Sequence, residues 1–203
     1  QLTSMEEPLG FAVGNNLEVK EAIDALHGNG PEDLMTVCYT LAAHMISLGK
    51  NISCEAAVKE AKESVESGRA FDTFVKMVEM QGGDTSYILS PETFPVSPLQ
   101  AELKAQNPGY LTYINTEGVG TAAGILGAGR SKKEDDIDPC AGIILHKKLG
   151  QKVKTGESLA TLYTSDKSLL DAGIRHLETC YEIKDVPESV PEYLLKDMSG
   201  RNS

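Results

Sequence analysis

The sequence predicts a mixed chain, α/β to α+β, in which a run of helices is followed by a smaller α+β part. Three observations carry that expectation. Apolar residues recur at helical spacing through the first 82 residues. Between residues 84 and 98 the texture turns to Ser, Thr, Pro and Gly with little periodicity. Beyond it, residues 109–114, 140–146 and 158–164 read as short strands set among turn signals. The expected organisation is a helical portion over 1–82, a linker over 83–103, an α+β domain over 104–185 and a surface-crossing tail over 186–203 that includes Pro187 and Pro191.

The first helix follows the stretch MEEPLGFAVGN at residues 5–15, which is too polar at one end and too Gly-rich at the other for an ordinary strand. Val19, Ala22, Ile23 and Leu26 give the apolar stripe, Asn15 is the expected N-cap, and Glu18 takes the capping-box position. Gly28-Asn29-Gly30 supplies the stop. The second helix is the clearest: Pro31 opens it, Glu32 and Asp33 suit its first turn, and Leu34, Val37, Cys38, Leu41, Met45 and Leu48 recur along it. Gly49 is expected to end it. A third helix runs from Ser53 to Gly68, and a fourth carries Phe71, Phe74, Val75 and Val78 before Gly82-Gly83. After the three strands, a last helix is expected with Ser165 as its cap and Leu170, Ile174, Leu177 and Tyr181 on its buried face.

The loop before the first helix poses the functional question. Gly10 and Gly14 permit backbone angles that side chains resist, so the carbonyls between them can turn toward a common point, an arrangement suited to a hard cation. Glu21, on the helix just after the loop, would add a carboxylate, and Glu6 and Glu7 are rivals for that role. A tight strand-to-helix connection with a solvated acid meets the same spacing.

Elsewhere the bland readings prevail. A net charge of −11 and a pI near 4.8 disfavour a nucleic-acid surface, which needs clustered Lys and Arg. Cys38, Cys54, Cys140 and Cys180 are scattered without a CxxC pair, and the four histidines show no zinc spacing beside them, so reduced thiols in a cytoplasmic protein are expected. No apolar run approaches the ~20 residues that a bilayer requires, so no membrane partner is expected. The Gly-rich stretch 116–130 lacks a P-loop ending and the dinucleotide order, and reads as a small-residue helix packed closely on a sheet. Arg130, Lys132 and Lys133 are followed by Glu134, Asp135, Asp136 and Asp138, which cancel the local field and suit a solvated loop. Residues 147–157, rich in Lys and Gly, suit exposed turns rather than an active cleft. No catalytic constellation is visible.

Taken together, MEEPLGFAVGNNLEVKEAIDALHGNGPEDL at residues 5–34 closely resembles the region after the substrate pocket in pyrimidine-nucleoside and thymidine phosphorylases. EGVGTAA at 117–123, LGAGR at 126–130, DID at 136–138 and KKLGQKVKTGESL at 147–159 resemble their C-terminal domain. The resemblance implies the helical part of a phosphorylase α/β domain followed by a small α+β C-terminal domain with a mostly antiparallel sheet. It also implies a homodimeric enzyme that uses inorganic phosphate to cleave a pyrimidine nucleoside reversibly into free base and a (deoxy)ribose 1-phosphate. The family's Lys-His-Ser-Thr-Gly-Gly type phosphate loop and its base-holding Arg and Lys do not occur here, so the chain is expected to be the C-terminal part of such an enzyme, inactive without its N-terminal portion. The family's potassium ligands map onto Leu9, Ala12 and Glu21, the first two through main-chain carbonyls because their side chains have no polar atom.

A reading from another class competes. Residues 150–159 have the GxxVxxGExL rhythm of biotinyl and lipoyl carrier modules, which place a modifiable lysine at a hairpin tip. Lys147 and Lys148 are the lysines beside that rhythm, and a plain Leu-Gly turn follows them.

Overall fold

A computed structural model describes residues 1–130, 132–134, 136–190 and 192–196. Asp135 of the charged stretch, and Pro191 and residues 197–203 of the expected tail, lie outside them. The described residues form two compact units, one of residues 1–3, 20–94 and 193–196, the other of residues 4–19, 95–130, 132–134, 136–190 and 192. The mixed α+β character with antiparallel sheets is as expected.

The first unit is helical. Helix α1, Asn15–Leu26, enters it from residue 20 onward, and α2 (Glu32–Lys50), α3 (Cys54–Glu66), α4 (Arg69–Met80) and the short α5 (Ser86–Leu89) follow. Ser53 caps α3 through its side chain, which accepts from the Ala56 N–H at 3.2 Å. Two helix ends differ from expectation. Pro31 sits just outside α2 with an extended ψ of 144°, which suits a residue lacking an N–H at a helix entrance. Gly49 continues the helix instead of ending it, and Asn51 takes the left-handed turn at φ 53°, the non-glycine residue type that best tolerates it. A two-residue strand β1, Leu2–Thr3, pairs antiparallel with β9, Leu194–Lys196, so part of the expected tail is a strand of this unit.

The second unit holds two antiparallel sheets. One has the order β2 (Ala12–Val13), β5 (Gly142–Leu145), β7 (Ser158–Thr164), β3 (Leu99–Lys104); the other runs β6 (Lys152–Val153), β4 (Gly109–Ile114), β8 (Tyr181–Lys184). β7 is central and buried along nearly its whole length, as a strand covered on both faces must be. The segment expected as a linker over 83–103 carries α5, a 3-10 turn and most of β3, whose apolar Leu99, Ala101 and Leu103 alternate with polar residues directly after a Ser- and Pro-rich approach. Helix α7, Lys167–Glu178, is capped by Asp166 rather than Ser165, through a 2.7 Å bond from the Ser168 N–H. It stops before Tyr181, which opens β8 instead of extending the helix.

The Gly-rich stretch is the small-residue helix expected of it. Helix α6, Thr116–Ala123, is capped by the Asn115 side chain and continues into a π-turn, Gly124–Ala128. Close packing explains the composition, because a Cβ on Gly118 would lie 2.6 Å from the Cys180 sulfur, and one on Gly173 of α7 equally close to Leu126. The core of this unit gathers Leu111, Ile114, Val119, Leu126, Ile143 and Leu162 among others, all essentially inaccessible.

The tightest backbone approach joins β2 to β5. A Cβ on Gly14 would stand 2.5 Å from the Ala141 carbonyl oxygen and 2.8 Å from Gly142 Cα, and one on Gly142 would collide with the Val13 carbonyl. Gly142→Ala should therefore destabilise the chain by about 2–4 kcal/mol, since neither backbone can yield without breaking the pairing. Urea unfolding checks this, and a midpoint within error of the parent would show that the strands separate at little cost.

Candidate functional site

The loop that raised the cation question belongs to the second unit. It is not all loop: Ala12 and Val13 form edge strand β2, paired with Ile144 and Ile143. A two-residue strand flanked by glycines leaves no period-two pattern to read, which is why the sequence hid it. Gly10 takes φ 71° and Gly14 φ 140°, the backbone freedom expected of them. The helix behind them starts one residue earlier than expected. The Gly14 carbonyl accepts the first helical bond from the Glu18 N–H at 2.8 Å, and the Glu18 carboxylate receives the Gly14 N–H at 2.9 Å. Gly14 is thus the cap. Asn15, the expected cap, instead donates from its side chain to the Ala128 carbonyl at 3.0 Å, tying the helix start to the π-turn.

The register orients the carbonyls. The Leu145 N–H donates to the Phe11 carbonyl at 2.8 Å, so Phe11 and Leu145 form a hydrogen-bonded pair and Ala12 with Ile144 the non-hydrogen-bonded one. The Ala12 carbonyl therefore points away from β5, toward the outer edge of the sheet, while its side chain is 6% exposed. Leu9 is 43% exposed and lies in the bend before it. Leu9 and Ala12 thus belong to one unit and one loop. Glu21 stands on α1 within the other unit. Both rivals share the unit of Leu9 and Ala12, and Glu7 is the more enclosed: its Oε2 accepts the Leu149 N–H at 2.8 Å, and its Oε1 is buried with no hydrogen-bond partner among the described residues. Glu6 is exposed. The described residues hold no grouping of three or more His, Cys, Asp and Glu side chains, a finding that leaves main-chain ligands aside.

What sequence reasoning missed is Lys148. Expected in an exposed turn, it is 7% exposed; its ammonium donates to the Pro8 carbonyl and lies 5.4 Å from the centre of the Phe11 ring. A buried lysine stem with its charge on a carbonyl and an aromatic face is stable where a bare ammonium would not be. Lys148 and Leu149 together grip the loop at Pro8, Phe11 and Glu7, from a segment some 140 residues further along the chain. No local pattern marks such a contact. Lys147 is also engaged, in a 2.6 Å ion pair with Glu157. Neither lysine stands at an exposed hairpin tip as a carrier's would.

Comparison with known proteins agrees with this architecture. A family profile described as the pyrimidine nucleoside phosphorylase C-terminal domain matches residues 110–184. The pyrimidine-nucleoside phosphorylase of Geobacillus stearothermophilus is 40% identical over 199 residues, 98% of this chain. Along nearly its whole length the chain is similar to part of a pyrimidine-nucleoside phosphorylase. The enzyme of that name from Staphylococcus haemolyticus is 42% identical over 184 residues, and one from Staphylococcus aureus 42% over 185. The chain spans less than half the length of these relatives, 46% of the Geobacillus protein and 42% of the two staphylococcal ones. No helix among the described residues is long and apolar enough to cross a membrane.

The grip on the loop yields a direct test. Lys148→Met keeps most of the stem and removes the ammonium, leaving the Pro8 carbonyl without its buried donor, at a cost of about 1–3 kcal/mol. Amide hydrogen exchange should quicken at residues 9–14 while the amides of β7 stay protected. Unchanged exchange in the loop would show that Lys148 merely fills space.

Proposed function

We propose that this chain is the C-terminal portion of a pyrimidine-nucleoside phosphorylase. The complete enzyme would catalyse reversible phosphorolysis of uridine, thymidine or deoxyuridine in nucleoside salvage and catabolism, as a cytoplasmic homodimer. The observation that carries this reading is the 40% identity to the Geobacillus phosphorylase across 98% of the chain. In the reaction a phosphate oxygen forms a bond to C1′ as the bond from C1′ to the base nitrogen breaks, and the electron pair leaves with the base. Groups that would bind the phosphate and the base are assigned to the N-terminal portion that completes the enzyme.

This chain's own contribution would be the loop from Glu7 to Gly14 and the helix it opens. We assign Leu9 and Ala12, through their carbonyls, and Glu21, through its carboxylate, to a potassium site. The outward direction of the Ala12 carbonyl and the positive φ of Gly10 support that assignment. A bound potassium ion would supply fixed positive charge that stiffens the loop. Lys148 and Glu7 hold the same loop from its other end, so its shape does not rest on an ion alone.

Two outcomes are expected. The 203-residue chain alone should show no phosphorolysis of uridine or thymidine, because charge developing in the transition state meets no donor set; turnover by the pure chain, followed by release of free base, would refute the assignment. In the complete enzyme, Glu21→Gln removes the charge and keeps the shape, which should weaken the ion by about 1–3 kcal/mol, roughly ten- to a hundred-fold. Initial rates against potassium at constant ionic strength read this directly, and an unchanged half-saturation point would leave Glu21 as a solvated helix residue.

A further inference from the structure

The turn that joins α1 to α2 contains the pair Asn29-Gly30. Its backbone closes α1 as a Schellman motif: the Gly28 N–H donates to the Ala25 carbonyl at 3.0 Å and the Asn29 N–H to the Asp24 carbonyl at 2.9 Å, with Gly28 at φ 84°. Asn29 is exposed, and its side-chain amide makes no hydrogen bond among the described residues. The next N–H, that of Gly30, has no partner among them either. Packing requires a glycine there. A Cβ on Gly30 would lie 2.7 Å from Ala25 Cβ and 2.8 Å from the Met35 sulfur, so α1 and α2 close directly on this backbone. An unengaged asparagine is thus followed by the residue that least hinders attack on its side chain.

The other described asparagines are each held back. Asn15 gives its side-chain amide to the Ala128 carbonyl, and the N–H that follows it is bonded to the Pro139 carbonyl. Asn16 donates to the Cys140 sulfur, and Asn115 caps α6 by accepting from the Gly118 N–H. Asn51 precedes Ile52, which is β-branched and whose N–H is bonded to the Ser47 carbonyl. Asn107 precedes Pro108, which has no N–H. Only Asn29, among the described residues, combines a free amide with an unhindered, unbonded nitrogen after it.

We infer that Asn29 is a site of spontaneous deamidation, an irreversible modification that loosens the α1–α2 turn as the protein ages. The Gly30 nitrogen loses its proton to base and attacks Asn29 Cγ. The N–Cγ bond forms, the Cγ–Nδ2 bond breaks, and Nδ2 leaves as ammonia with a proton taken from water. Water then opens the succinimide at one of its two carbonyls, which gives aspartate or isoaspartate. Both products place a carboxylate at the negative end of the α1 dipole, where an anion is disfavoured. Isoaspartate does more, because the chain then runs through the former side chain and gains a methylene just before Gly30. The seat between Ala25 and Met35 that leaves no room for a methyl group cannot keep Gly30 in place when the backbone before it lengthens.

The test incubates the 203-residue chain at neutral and at mildly alkaline pH and follows its tryptic peptides by mass spectrometry over time. The peptide of residues 21–50 contains a single asparagine and no glutamine, so the mass gain of an amide becoming an acid reports Asn29 alone. Expected is conversion there at least ten-fold faster than at Asn51 or Asn115, accelerating with pH, with isoaspartate detected by enzymatic methyl esterification. The isoaspartyl form, separated by ion exchange, should melt below the parent. N29Q replaces an exposed side chain, so it should keep the circular dichroism and melting temperature of the parent and show no conversion in this peptide. The chain unfolded in urea supplies the reference rate. If Asn29 converts no faster than Asn51, or stays intact in the folded chain while the unfolded chain converts, the packing around Gly30 holds its nitrogen away from the side chain and the inference is overturned. An isoaspartyl form that melts with the parent would overturn the loosening of the turn.

Discussion

The meeting of Gly14 with Ala141 and Gly142 is the contact on which the second unit depends. Backbone lies on backbone there, and neither side has room for a methyl group. It fixes three things together. β2 is aligned on β5, the carbonyl of Ala12 is turned to the sheet edge, and the start of α1 is placed beside the 139–142 segment, where the Asn16 N–H donates to the Pro139 carbonyl at 3.0 Å. The cap bond between Glu18 and Gly14 then closes the helix end on the same point. Because close packing transmits any displacement, the loop, the edge strand and the helix start form one rigid corner.

A second set of contacts reaches that corner from the opposite direction. Lys148 and Leu149 follow β5 in the chain, so the strand that pairs with β2 also leads into the residues that hold Pro8 and Glu7. The segment from Glu7 to Gly14 is therefore clamped twice by one neighbouring stretch of backbone, once through ladder hydrogen bonds and once through a buried ammonium. Conformational freedom that glycines and a proline would otherwise leave in such a loop is removed by partners distant in sequence. The helical unit is built differently: between residues 20 and 94 alanine makes up half of the buried apolar side chains, while Leu41, Met45 and Leu48 of α2 are exposed.

Legibility in the sequence followed the range of the interactions. The strands at 109–114 and 158–164 and the bodies of helices α1 to α4 were readable, because each carries its own period and its own breakers. Helix ends were read one or two residues off wherever two capping residues stood side by side, as with Gly14 and Asn15 or Ser165 and Asp166. Strands β2 and β8 were missed, the first for being two residues long and the second for continuing an apolar run out of α7. β3 was missed because a Ser- and Pro-rich approach disguised it. Of the site, the glycine angles were foreseeable from residue type, and the family resemblance pointed to Leu9, Ala12 and Glu21. Lys148 was not foreseeable, since its burial is decided by Pro8 and Phe11 on a segment to which no local pattern links it.

That lysine has one more implication. An ion in solution comes and goes with the composition of the medium, whereas an ammonium on a covalent stem is present at a fixed local concentration whatever the salt. The charge on the Pro8 carbonyl cannot be dialysed, chelated or exchanged for sodium. Its end of the loop is therefore set at synthesis and is indifferent to the ionic history of the protein.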